Sequence, residues 1–372
     1  MRVLELLSSP VWTGPAEPMA SVALELRRRG HEVQVAVDGR REGDLRQRLR
    51  ALGLPQREDL VLSTKAGPLA LLADARRLRA IARDLDVVHS NFSHDHAVAL
   101  LGLRGRRDQR VVRTVHSSRS LRPRPVQGLV HRATDGLVAV CEAHARILRE
   151  RFRVPEERVA ATRGAVDSSA FAPGGPDLRE ELGIPPGAPV AGIVSRVKPD
   201  RRHAELVDAF RAVADRVPEA RLVVVGRGEG LDEVRVRVAH RGLERQVIFA
   251  GYRTGPALAA AYRTLDVKVL LAEGNDGTCR ALLEAMACGR AAVAFRFGAP
   301  AEAIVDGMTG LLVEDGDVPG LADALIEVLS APARARAMGR AARERVASLY
   351  TEEGRGAAVE AFLAAIRRLP PA

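Results

Sequence analysis

Aromatic side chains are scarce in this chain: one Trp, three Tyr and eight Phe make up 3% of 372 residues. That scarcity excludes a platform of stacked bases, and nucleic acid is not an expected partner. Cysteine is nearly absent as well. Cys141, Cys279 and Cys288 are odd in number and far apart, which excludes a disulfide framework and a cysteine-based zinc site. No apolar run approaches the ~20 residues of a transmembrane helix. The apolar start of the chain is broken by Glu5, too soon for a signal peptide. The expected location is the cytoplasm.

What is present is arginine. The 57 basic residues include only three lysines, Lys65, Lys198 and Lys268, leaving 54 arginines and a net charge of +10. Arg104, Arg106, Arg107, Arg110, Arg113, Arg119, Arg122 and Arg124 crowd one segment. Such a run is either a solvated face or a patch for phosphate-bearing partners, and it predicts peripheral contact with the anionic inner face of a membrane. Hydrophobic residues at 47% and charged residues at 28% describe a globular chain, and its length exceeds what one core supports. Two domains are expected.

The chain opens with a strand, Val3–Leu7, a Gly/Pro loop around Gly14, a helix from Met19 to Arg29 ended by Gly30, and a second strand through Val37. This is a βαβ unit, which requires a parallel sheet covered by helices. Short apolar runs recur at Asp86–His89, Arg110–His116 and Gly136–Val140, and His89 and His116 fall at strand ends, where open α/β sheets bind ligands. The stretch from Phe171 to Val190 is the richest in Pro and Gly and predicts a boundary. The expected domains are 1–172 and 187–350, followed by a C-terminal helix in 351–372 packing back towards the first domain. Beyond the boundary the alternation restarts with Val190–Ser195, His203–Val217, Arg221–Val225, Leu231–Arg241 and Val247–Phe249.

Asp266 to Gly289 carries the most chemistry. Val267–Leu271 reads as a buried strand, Glu273–Gly277 as a tight loop, Thr278 as an N-cap and Arg280–Cys288 as a helix. A helix start after a Gly-containing loop presents free N–H groups and a positive dipole end to an anion. Asp276 stands at that start and Glu284 about two turns on, placed to accept two hydroxyls of a ribose.

Asp276–Glu284 resembles the E-x7-E motif of the retaining GT-B glycosyltransferases of family 4, and Ala285-Met-Ala-Cys-Gly289 is similar to the family's continuation. Thr114-Val-His116, Val138-Ala-Val-Cys-Glu142, Gly164-Ala-Val-Asp167, Val194-Ser-Arg196, Val223-Val-Val-Gly226 and Gly307-Met-Thr-Gly310 follow in the family's order. The resemblance implies an α/β GT-B fold, two Rossmann-like domains facing each other across a cleft. It implies transfer, with retention and without a metal ion or other cofactor, from a nucleotide-diphosphate sugar. The acceptor implied is a glycan, a lipid-linked sugar or a secondary metabolite, as in cell-surface polysaccharide biosynthesis.

Residue by residue, the resemblance implies that Arg196 and Arg201 grip the diphosphate and that Gly14 lies in the donor-closing loop. It implies that amides around Thr278, Cys279 and Arg280 hold phosphate or sugar hydroxyls and that Glu284 binds the ribose. Asp276 and His116 would stand at the reacting centre. The chain departs from the pattern at Asp276 (usually Glu), at Pro15 and Ala16 (often a glycine), at Arg201 (usually Lys) and at Arg163 (commonly Asn).

Blander readings stand beside these. Glu284 alone reads as a solvated helix face; His116 alone reads as a core histidine; His89, His94 and His96 lack a metal-ligand spacing and are expected to hydrogen-bond. Gly226-Arg-Gly228-Glu-Gly230 is a broken dinucleotide fingerprint, and Cys279 and Cys288 read as small packing residues. Two rival functions follow. A catalytically silent scaffold is motivated by Pro15 and Asp276, and a nucleotide-dependent oxidoreductase lacks its glycine fingerprint after the first strand.

Overall fold

The structure is a computed structural model that describes residues 1–372 apart from Glu42, Thr64, Pro125 and Asn275, and for Asp276, Gly277 and Thr278 describes the backbone only. It divides into two compact units, residues 1–164 with 352–372, and residues 165–351.

Each unit is built on one parallel sheet. In the first, β1 (Arg2–Leu7), β2 (Glu32–Val37), β3 (Gln56–Arg57), β4 (Val87–Ser90), β5 (Arg110–Val115), β6 (Gly136–Ala139) and β7 (Val159–Ala161) lie in the order 3-2-1-4-5-6-7. In the second, β8 (Val190–Val194), β9 (Arg221–Val225), β10 (Val247–Gly251), β11 (Val267–Leu270), β12 (Ala291–Phe295) and β13 (Gly310–Val313) lie in the order 10-9-8-11-12-13. Both orders reverse beside the first strand, which is the Rossmann-like arrangement and puts a crevice at the carboxyl ends of β1/β4 and of β8/β11.

The strand sequences explain why both faces are covered. In β8 and β9, Ala191, Ile193, Leu222 and Val224 point to one core while Val190, Val194, Val223 and Val225 point to the other. Near-continuous aliphatic runs of this kind suit a parallel strand buried on both sides. In the first unit the helix Ala16–Arg28 and the C-terminal helix Glu352–Arg368 share one face of the sheet. Val359, Leu363 and Ile366 are buried there on one helical stripe, worth roughly 5–9 kcal/mol in transfer terms as an upper figure. Arg110 fastens that helix end, donating to the carbonyl oxygens of Ile366 (3.3 Å) and Leu369 (2.7 Å).

Three expectations about the chain's organisation change. The Pro/Gly-rich stretch is not a linker: Leu178, Ile184 and Ala188 are buried in the core of the second unit. The chain divides instead at Gly164/Ala165, because Val166 N–H already donates to Tyr350 O and Phe171 packs edge-on against Tyr262 at 5.9 Å. The helix expected from Arg280 begins at Asp276, so Thr278 lies inside its first turn rather than at an N-cap. Similarly, the first helix starts at Ala16, three residues early, with Pro15 as its N-cap.

Candidate functional site

In the second unit the site grows from the carboxyl end of β8. The strand runs into Ser195, Arg196 and Val197, and this loop is locked to the loop after β9. Ser195 N–H donates to Val225 O, Val197 N–H to Arg227 O and Gly230 N–H to Val197 O, at 3.0, 3.0 and 3.2 Å. A Cβ at Gly226 would stand 1.9 Å from Ser195 O, and one at Gly228 would stand 2.1 Å from Val197 O. The Gly-x-Gly-x-Gly spacing is therefore a close backbone approach that holds the Arg196 loop rather than a dinucleotide cradle. Arg196 itself is exposed.

Cations gather behind it. Lys198 pairs with Glu229 at 2.8 Å, and Arg201 ends the short turn Pro199–Arg201 with its Nε buried and unbonded. His203 is buried, and burial, with Lys268 and Arg201 adding repulsion, holds its imidazole down at about 4. Arg196, Lys198 and Arg201 make this edge cationic, the surrounding that a diphosphate requires.

Glu284 faces this region from the helix Asp276–Ala287. It is 7% exposed, so the solvated-face reading is wrong: one oxygen accepts from the Tyr262 hydroxyl at 2.6 Å and the other lies 3.4 Å from Arg280 Nε. Burial pushes its carboxyl above the usual range, while Arg280, Tyr262 and Lys268 oppose the shift. Lys268, on β11, is fully buried and donates to Val269 O at 2.6 Å; burial pulls its ammonium down to about 7. Cys279 and Cys288 are both buried, as packing residues would be. The side chains of Asp276 and Thr278 lie outside the described residues.

In the first unit the carboxyl ends of β1, β4 and β5 hold one buried chain of hydrogen bonds. Glu5 on β1, with no exposed surface, accepts from His89 Nδ1 at 2.8 Å and from the Asn91 amide at 3.0 Å. His89 Nε2 meets the Thr114 hydroxyl at 2.8 Å. The Asn91 amide also donates to Leu6 O, which turns its Oδ1 to His116 Nε2 at 3.0 Å. Facing an amide oxygen, His116 Nε2 donates, and the ring is oriented two hydrogen bonds away from buried Glu5. Gly14 lies exposed in the turn just ahead of the helix Ala16–Arg28.

His96 belongs to a second network. Its Nδ1 faces the Arg113 guanidinium at 3.1 Å and its Nε2 the Thr134 hydroxyl at 2.8 Å. The three histidines therefore do not converge, and among the described residues no group of three His, Cys, Asp or Glu is placed to hold a metal ion. Glu5, Asn91, Tyr262 and Lys268 escaped the sequence reading. Lys268 alone left a trace, a cation interrupting the apolar run Val267–Leu271.

Two family matches divide the chain as its sheets do. Residues 16–170 match Glycosyltransferase Family 4, and residues 176–345 match Glycosyl transferases group 1. The chain belongs to the family 4 glycosyltransferases. Among relatives, a D-inositol 3-phosphate glycosyltransferase of Kribbella flavida is 29% identical over 92% of this chain and 90% of its own length. One of the same name from Stackebrandtia nassauensis is 35% identical, but the match spans about half of each chain, 55% of this one and 48% of that one. The Anabaena protein HepE, solved in complex with UDP-glucose, shares the fold of this glycosyltransferase with a TM-score of 0.80 at 20% identity, covering 98% of this chain and 99% of that one.

Proposed function

We propose that this glycosyltransferase moves a sugar, with retained anomeric configuration and without a metal ion, from a nucleoside-diphosphate sugar to a hydroxyl of a polar acceptor. The observation that carries this is the cationic carboxyl edge of the second sheet, where Arg196 and Arg201 follow the first strand at the point of order reversal and Glu284 is held by Tyr262. In this reading the sugar C1–O bond to the diphosphate breaks as the acceptor oxygen bonds C1 on the same face, and the acceptor proton passes to the leaving phosphate. Arg196 and Arg201 neutralise the charge that grows on that phosphate, which is the work a metal ion would otherwise do. Glu284 accepts the ribose hydroxyls; Asp276 and the amides of the first helical turn contact the sugar; His116 stands beside the acceptor from the first unit. The names of the relatives make a phosphorylated polyol such as inositol 3-phosphate the first acceptor to try.

Calorimetry of the full chain with UDP, GDP, ADP and NAD, wild type and Arg196→Ala, tests the donor half. One nucleoside diphosphate is expected to bind, with affinity falling at least thirtyfold in the variant, by about 2 kcal/mol. Binding of NAD alone would overturn the reading. Nucleotide binding with no sugar moved from any donor would favour a silent scaffold.

A further inference from the structure

The arginine run of the sequence does not survive folding as one patch. Arg110 and Arg113 are buried and spent on internal bonds, Arg110 to carbonyls of the C-terminal residues and Arg113 to His96, Ser93 and Ser120. The exposed end of the run, Arg124, meets Arg132 and Arg151 around the short helix Gln127–Arg132. A cavity of about 470 Å³ is lined there by Pro123, Arg124, Gly128, Arg132, Arg151 and Phe152. Its lining holds three arginines and no acid. Arg132 is fixed by a 3.0 Å bond to Phe152 O, while Arg124 and Arg151 are exposed.

Apolar side chains are exposed on the same short segment. Val126 is 64% and Leu129 61% exposed, among the most exposed large hydrophobic side chains described. Nor does any Asp or Glu occur between Asp108 and Asp135 to offset the charge. Single exposed hydrophobics mean little, but two within four residues, on the segment that also supplies Arg124, Gly128 and Arg132 to a cationic hollow, are a different matter.

We propose that this face seats the protein on an anionic lipid surface. Arg124, Arg132 and Arg151 would take headgroup phosphates, and Val126 and Leu129 would enter the boundary between headgroups and acyl chains. Charge complementarity selects the anionic partner, and the two aliphatic side chains select a lipid over a nucleic acid. A nucleic acid would need stacking rings, and the one aromatic residue lining the cavity, Phe152, is itself buried. The seat is read from this surface alone, so its test is independent of sugar transfer.

The test is co-sedimentation of the full chain with phosphatidylcholine vesicles, with and without about one-third phosphatidylglycerol, at low and at raised salt. Binding is expected only to the anionic vesicles and should weaken as salt rises. Arg124→Ala and Arg151→Ala should each weaken it about fivefold, and Val126→Asp with Leu129→Asp should lower it further at unchanged circular dichroism. Absence of binding to anionic vesicles at low salt would overturn the proposal. So would binding insensitive to these four substitutions but abolished by Leu69→Asp and Leu72→Asp on the helix Gly67–Ile81, whose exposed leucines would then be the contact. Tighter binding to RNA, with none to vesicles, would assign the face to the other class of polyanion.

Discussion

The two units share a strand order and differ in what stands at its carboxyl edge. In the first, Glu5, His89, Asn91, Thr114 and His116 form a buried chain in which a fully enclosed carboxylate orients everything downstream. In the second, Arg196, Lys198 and Arg201 crowd the edge, and Glu284, the one buried carboxylate among the described residues of that unit, is held between a hydroxyl and cations. One topology thus makes two surfaces, one oriented by a buried carboxylate and one positive. Topology fixes where a ligand sits; the side chains at the reversal point fix the charge of what sits there.

The sharpest break of this comparison is to discharge the second edge. Arg196→Ala with Arg201→Ala should cost donor binding about 4 kcal/mol, roughly a thousandfold, read by calorimetry with the nucleoside diphosphate that binds wild type. Unchanged affinity would mean that the positive edge serves another purpose.

Protonation tests both units at once. Burial, with Arg113 adding repulsion, holds His131 of the first unit at about 4, as burial with Lys268 and Arg201 holds His203 of the second. Each ring's folded value lies below its unfolded value near 6.5, so the unfolded chain binds more protons in the window between. Stability is then full above about pH 6.5 and falls as pH drops towards about 4, by up to about 3 kcal/mol for each ring. Thermal melts from pH 7 to pH 4 should show this loss, and His131→Gln or His203→Gln should flatten it. A melting temperature that does not change over that range would contradict the burial of both rings.

Smaller effects sharpen the contrast. Asn91→Ala should cost about 2 kcal/mol of stability, since it strips a partner from Glu5, and should lower turnover while leaving donor affinity intact. Donor affinity falling in step would make the first edge part of the donor site. Tyr262→Phe removes one bond to Glu284 and should weaken donor binding by about 1 kcal/mol, some fivefold, with turnover little changed. An effect on turnover larger than on binding would place Glu284 nearer to the reacting sugar than to the ribose.

The motifs were legible because each is local. Arg196 after a strand, Glu284 eight residues beyond Asp276 and His116 at a strand end are all spacings along one element, and the structure puts Arg196 and Glu284 in one unit and His116 in the other. The Gly226–Gly230 turn was visible as glycines but not as what they do. Its meaning lies in the carbonyls of Ser195 and Val197, some thirty residues away in sequence.

Periodicity, composition and motif order thus determined a doubly wound α/β chain in two parts and its family, since alternating apolar runs can be buried only between helices on a parallel sheet. They could not decide which polar groups are enclosed. Arg110 and Arg113 belong to one basic run with Arg122 and Arg124, yet two are buried and two face outward. Glu284 is buried where its helical position alone suggested solvent. Burial depends on which distant strand or helix covers a side chain, and that contact is made only when the sheet closes.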